Sequence, residues 1–195
     1  METIIPPVDR TLIEKELTKK LLIRDTNNGH NKIYVFSHDQ APNVMREVGR
    51  LRELTFREAG GGTGKSCDID MYDTAASPFK QLIVWNPEDK EIVGGYRFIY
   101  GKDVANDKSG HPLSPTSRLF QFSKRFIEEF WPDTYELGRS FVQPLYQPTV
   151  NLRRGMYSLD NLWDGLGAIV IMEPTVKYFS GRSPCTLILT RWPVI

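Results

Sequence analysis

The feature that most constrains the fold is a hairpin near the middle of the chain. Residues 80–85 and 91–100 read as strands rich in Ile, Val, Tyr and Phe, joined by Asn86-Pro87-Glu88-Asp89, a turn sequence. Strands joined so tightly pair antiparallel, whereas parallel neighbours need a long crossover. A doubly wound, dinucleotide-type sheet therefore fits this chain poorly. Residues 32–37 predict another strand and 42–58 a helix, with Val44, Met45, Val48, Leu51, Leu54 and Thr55 along one side. A second helix is expected over 117–131, turning Leu119, Phe120, Phe122, Phe126, Ile127 and Phe130 inward. Residues 135–142 read as a strand, 159–178 as a long helix that Gly165, Gly167 and Pro174 bend or interrupt, and 184–189 as a last strand. At the other end, 9–23 predicts a helix opened by Asp9 and carrying Leu12, Ile13, Leu17, Leu21 and Leu22 near helical spacing. A mixed sheet covered by helices accommodates this order.

Composition narrows the function. With 195 residues, 40% of them hydrophobic, the chain can bury a core of one domain. Its 25 basic and 24 acidic side chains leave a net charge of +1, which argues against a dedicated nucleic-acid binder. The longest apolar run, near residues 165–172, falls far short of a membrane span, and the first ten residues lack the pattern of a secretory signal. Cys67 and Cys185 make neither a disulfide framework nor a metal-ligand spacing. The expectation is a cytoplasmic protein that holds no metal.

One motif is a decoy. Ala59-Gly60-Gly61-Gly62-Thr63-Gly64-Lys65-Ser66 satisfies a relaxed phosphate-loop pattern. A phosphate loop leaves a strand and enters a helix. This one leaves a helix and enters CDIDMYD, whose carboxylates repel anions. It reads instead as the cap of a helix and as a mobile segment able to fold over a site.

Four clusters could carry chemistry. Arg52 and Phe56 are four residues apart and share a helical face. Asp68, Asp70 and Asp73 crowd together and need cationic neighbours. Gly95-Tyr96-Arg97 and Glu136-Leu137-Gly138-Arg139-Ser140-Phe141-Val142 lie in strands, where strict alternation would place Glu136 and Gly138 on one face and Leu137, Arg139 and Phe141 on the other. Arg52, Arg97 and Arg139 could neutralise Asp70, Asp73 and Glu136, either as a purely structural ion network or as the lining of a polar substrate site. His30, His38 and His111 have no partner suggested by spacing, and no nucleophile elbow or Cys–His pair is visible.

Taken in order, the four clusters resemble the acyl-carrier-protein-dependent branch of the GNAT acyltransferase superfamily, over residues 32–178. The branch includes acyl-homoserine-lactone synthases and the haemolysin-like N-acyltransferases that make ornithine or glycine lipids. Gln143-Pro144-Leu145-Tyr146 and Leu162-Trp163-Asp164-Gly165-Leu166-Gly167 resemble the second group, and the glycine loop stands where the lactone synthases carry a Trp. The resemblance implies a GNAT-like α/β (α+β) fold, a mixed, mostly antiparallel sheet flanked by helices. It also implies direct transfer of a fatty acyl group from acyl carrier protein, or from an acyl-CoA, to the amine of glycine or ornithine in aminolipid synthesis, without a cofactor. Glu136, Arg139 and Asp70 would be catalytic. Arg52, Phe56, Asp68, Asp73, Arg97, Ser140 and Phe141 would bind substrate. Lys124, Arg125, Arg153 and Arg154 would dock the acidic carrier, and Phe98, Phe120, Phe122 and Phe141 would line the acyl tunnel. Backbone N–H groups of the 136–142 strand would hold the oxyanion. Peripheral contact with the inner face of the membrane fits a lipid product. The alternatives are a lactone-type synthase and a non-catalytic acyl- or lipid-binding module.

By this reading the chain divides into an N-terminal helix and linker over 1–30, an acyltransferase domain over 31–180 and an atypical tail over 181–195. Codons permitted for residues 181–195, read one base earlier, give GKVTMYPDFDTVARD, which resembles the family's continuation. The expectation is a frameshift near Ser180.

Overall fold

The computed structural model describes residues 1–182 and 187–191, the latter and Arg182 as backbone only, and Arg154 likewise. Seven strands form one sheet whose spatial order follows chain order: β1 (Leu22–Asp25), β2 (Lys32–Phe36), β3 (Lys80–Asn86), β4 (Glu91–Tyr100), β5 (Thr134–Val142), β6 (Tyr178–Arg182) and β7 (Leu187–Arg191). All neighbours are antiparallel except β5 and β6, which run parallel. The sheet is mixed and mostly antiparallel, as expected. The hairpin of β3 and β4 lies at its centre.

Helices cover both faces. On one face, α1 (Arg10–Glu16) and α2 (Pro42–Glu58) pack Ile13, Val44, Met45, Val48 and Leu51 against Phe36, Ile83, Trp85, Ile92 and Phe141. On the other, α4 (Ser158–Met172), preceded by the short α3 (Leu152–Gly155), sets Ile169 against Leu82, Tyr96, Phe98, Tyr135 and Phe179. Ala41 gives α2 no side-chain cap; Glu16 supplies one from α1, accepting from the N–H groups of Asn43 at 2.8 Å and Val44 at 2.9 Å. Two orphan donors of the first turn are thereby satisfied.

Three expectations are corrected. The 9–23 helix ends at Glu16, and Leu22–Asp25 becomes the strand β1, so residues 1–30 are built into the domain rather than appended to it. The amphipathic helix over 117–131 is replaced by turns, one wide turn of helix at Phe126–Phe130 and a 3-10 turn at Trp131–Asp133. There Ser117 Oγ hydrogen-bonds to the carbonyls of Pro112 and Ser114, and Thr116 reaches Glu136; such side-chain bonds compete with helix. Leu119 and Phe120 are exposed, while Phe122 and Phe126 pack with tilted rings against Trp131. The 159–178 helix stops at Met172, ahead of Pro174, and its expected last residue, Tyr178, opens the strand β6. The expected last strand over 184–189 falls partly outside the described residues, and most of the tail reading concerns side chains that are likewise outside them.

Candidate active site

The site lies on the α2 face, where the middle strands carry polar side chains between two apolar clusters. A bulge builds it. Gly95 pairs with Phe141 and Arg97 with Gly138, so two residues of β4 span the same length as three of β5. Arg139 takes up the excess with a left-handed φ of 54°. The bulge overturns strict alternation. Tyr135 and Leu137 face α4, yet Phe141 joins the α2 cluster, the side that Glu136 faces. Arg139 turns to that side too, bonding Asp68 at 3.2 Å and lying 5.9 Å from the centre of the Phe56 ring.

From α2, Arg52 enters the interior with no exposure at all. It bonds Gln81 of β3 and contacts Asp73 at 3.4 Å. Asp73 also accepts from Gln81 at 3.0 Å and pairs with Arg97 at 3.1 Å. Arg97 donates to Asp70 at 2.8 Å, with its guanidinium 4.9 Å from the Phe79 ring centre. Arg139 approaches the second oxygen of Asp70 at 3.7 Å. Three arginines and three aspartates thus interlock across α2, the 68–73 loop and three strands. Burial pushes the Arg52 guanidinium down, against the pull of Asp73. Burial also pushes the Asp68 carboxyl up, with Arg139 only partly opposing it. Asp70 lies below its ordinary value because the hydrogen bond and charge of Arg97 outweigh burial.

Glu136 lies on β5 two residues before Gly138, 1% exposed and outside the ion pairs of this network. Its Oε1 accepts from the Thr116 N–H at 3.0 Å and the Thr116 hydroxyl at 2.6 Å. Its Oε2 is buried without a partner among the described residues, as are Arg97 Nε, Arg139 Nε and Asp68 Oδ2. Buried polar atoms are nearly always paired, so these exceptions mark a candidate place for another molecule's polar groups. Gly138 sits among them; a Cβ there would meet only Arg97 atoms, at 3.6 and 3.8 Å. β6 pairs with β5 only as far as Leu137 opposite Gly181, so beyond that point the second edge of β5 has no ladder partner among the described residues.

The structure gathers Glu136, Arg139, Asp70, Arg52, Phe56, Asp68, Asp73, Arg97 and Phe141 around one face. Ser140 sits in the bulge and is exposed. The tunnel phenylalanines are not brought together: Phe98 and Phe141 pack on opposite faces, Phe120 is exposed, and Phe122 belongs to a third cluster. Lys124 and Arg125 are exposed, each facing a glutamate one turn on, at 3.7 and 2.9 Å, so their segment presents no net positive charge. Arg153 is exposed on α3. A cleft of about 430 Å³ lies elsewhere, lined by Ser77, Pro78, Phe98, Ile99, Tyr100 and Tyr135 and by none of the arginines and acids of the site.

The glycine loop is anchored to α2. Glu53, fully buried on α2, accepts from the Thr63 N–H at 2.9 Å, the Thr63 hydroxyl at 2.6 Å and the Gly64 N–H at 2.9 Å, while Arg57 donates to it from 2.8 Å. The phosphate-loop lookalike spends its N–H groups on a carboxylate of its own chain. Sequence reasoning passed over Glu53, Gln81, Thr116 and Ser180. Only Gln81 had a visible signal, a polar residue inside an apolar strand.

Residues 51–154 match the acetyltransferase (GNAT) domain family. A protein of Bacteroides thetaiotaomicron named glycine N(alpha)-acyltransferase is 57% identical over 182 residues, 93% of this chain and 54% of that protein. One of Phocaeicola vulgatus with the same name is 52% identical, over 93% of this chain and 56% of its own. The chain spans about half the length of the curated relatives it matches. Among solved structures, the AHL synthase LasI superimposes with a TM-score of 0.43 and 15% identity, over 79% of this chain and 72% of that one.

Proposed function

We propose an acceptor and a donor for a chain that belongs to the acetyltransferase (GNAT) domain family: it moves a fatty acyl group from a carrier-protein thioester to the amine of glycine, a first step toward an aminolipid. The names of the two relatives support glycine as the acceptor. The observation that carries the reading is Glu136, with Oε1 fixed by Thr116 and Oε2 unpartnered on the face where Arg97 and Arg139 also present unpartnered Nε donors. A carboxylate and guanidinium N–H groups around the glycine at position 138 suit a small zwitterion, with its ammonium toward Glu136 and its carboxylate toward the arginines.

In the reaction, Glu136 takes a proton from the ammonium. The freed amine attacks the thioester carbonyl, forming the C–N bond. The tetrahedral oxyanion is held by backbone N–H groups of β5 beyond Leu137, on the edge away from β4, which has no ladder partner there among the described residues. Collapse breaks the C–S bond, and the carrier thiolate leaves with a proton. Asp68, Asp70 and Asp73 hold the arginines in place. Of the expected dock, Arg153 and Arg154 remain the basic candidates for the acidic carrier. Among the described residues no helix is long and apolar enough to cross a membrane.

The test is acyl transfer from palmitoyl carrier protein to glycine, followed by mass spectrometry. N-palmitoylglycine should form, and Glu136→Gln should slow it by about 100-fold or more. A lactone from S-adenosylmethionine, with no N-acylglycine, would overturn the glycine reading.

A further inference from the structure

A second buried oxygen stands beside Glu136. In the parallel pair of β5 and β6, Tyr135 aligns with Phe179 and Glu136 with Ser180. Tyr135 and Phe179 stack on the α4 face, their ring centres 6.2 Å apart, so Glu136 and Ser180 both point to the α2 face. Paired strands lie about 4.8 Å apart, which makes the two side chains direct neighbours. Ser180 has no exposure, and its Oγ, like Glu136 Oε2, has no partner among the described residues. A hydroxyl can accept as well as donate. Leaving one buried without a partner is unfavourable, and here the orphan belongs to the residue in register with Glu136, whose own Oε2 is also orphaned.

Resting on the acyl-transfer reading, we infer that Ser180 is the second anchor of the acceptor's ammonium group. One N–H of the bound amine donates to Glu136 Oε2 and another to Ser180 Oγ. A pair of acceptors demands an amine with at least two N–H bonds, so the site takes a primary amine and refuses a quaternary one. Gly138, one turn of the pleat away on the same face, leaves room for an acceptor without a side chain. Once Glu136 has removed a proton, the Ser180 contact still holds the nitrogen, and its lone pair is left to face the thioester.

Two measurements on the full chain test this, one independent of turnover. Glycine binding is followed by calorimetry, with trimethylglycine as the probe that lacks N–H donors, and steady-state KM values are taken for glycine and for palmitoyl carrier protein. The expectation is that glycine binds, trimethylglycine does not, and Ser180→Ala weakens glycine binding and raises its KM about tenfold. The donor's KM and the melting temperature should not change, since the removed hydroxyl has no protein partner among the described residues, and Ser180→Thr should restore glycine binding. Undiminished glycine binding in Ser180→Ala, equal binding of trimethylglycine, or no glycine binding by the unaltered protein would each overturn the inference. Glycine binding that depends on Ser180 in a protein that transfers no acyl group would uphold the anchor and overturn the transfer reading alone.

Discussion

Glu53 shows how much one side chain can decide. Burial opposes its ionisation, but the hydrogen bonds from Thr63, Arg57 and Gly64 prevail and bring its carboxyl down to about 2 from an ordinary 4.5. A depressed carboxyl binds fewer protons folded than unfolded, so its contribution to stability is complete above pH 4.5 and is lost as pH falls toward about 2. Urea midpoints measured across that window should fall for the unaltered protein, and Glu53→Gln should flatten this part of the dependence. At neutral pH the same substitution should cost about 1–3 kcal/mol, because it leaves the Thr63 and Gly64 donors poorly matched.

Among the elements, β4 and β5 pose the sharpest contrast. A Cβ on Gly95 would stand 2.5 Å from the Leu82 carbonyl oxygen, a clash with backbone in the middle of the sheet. A Cβ on Gly138 would find only ordinary contacts. Gly95→Ala should therefore destabilise the fold by about 1–3 kcal/mol. Gly138→Ala should melt near the unaltered temperature yet transfer acyl groups to glycine much more slowly; calorimetry and the transfer assay together read the difference. These strands were also the most legible in the sequence, because the hairpin and the apolar runs of β3 and β4 admit one reading. The helix α2 was equally plain, its apolar stripe giving both ends. The 117–131 segment misled for a physical reason: its aromatic spacing mimics a helical face while Ser114, Thr116 and Ser117 divert the backbone into turns. The ionic residues of the site could be picked out by type, since charges in apolar strands need partners. Their facing could not, because one residue of left-handed backbone at Arg139 reverses it. Ser180 fell between the helix expected over 159–178 and the strand expected over 184–189, where no strand neighbour could be assigned to it.

At the scale of the whole molecule, chain order and spatial order coincide, and the N-terminus closes back on the middle. The Glu2 N–H donates to the Gly64 carbonyl at 2.8 Å, the Ile5 N–H to Ser66 at 3.0 Å, and the Glu2 carboxylate accepts from the Ser66 N–H at 2.8 Å. Removing residues 1–7 should leave the sheet folded but loosen the glycine loop, so that trypsin cuts faster after the exposed Lys65; an unchanged cutting rate would mean that Glu53 alone holds the loop. The bulge in β5 has a consequence for how such a chain can vary through time. Removing one residue between Gly138 and Phe141 would leave a regular ladder with Glu136 and Phe141 still facing α2. It would also swing Arg139 to the far side and strand Asp68 as a buried charge. Natural variants should therefore exchange residue types in this interval far more freely than they gain or lose a position, and the quantity that descent preserves is a count.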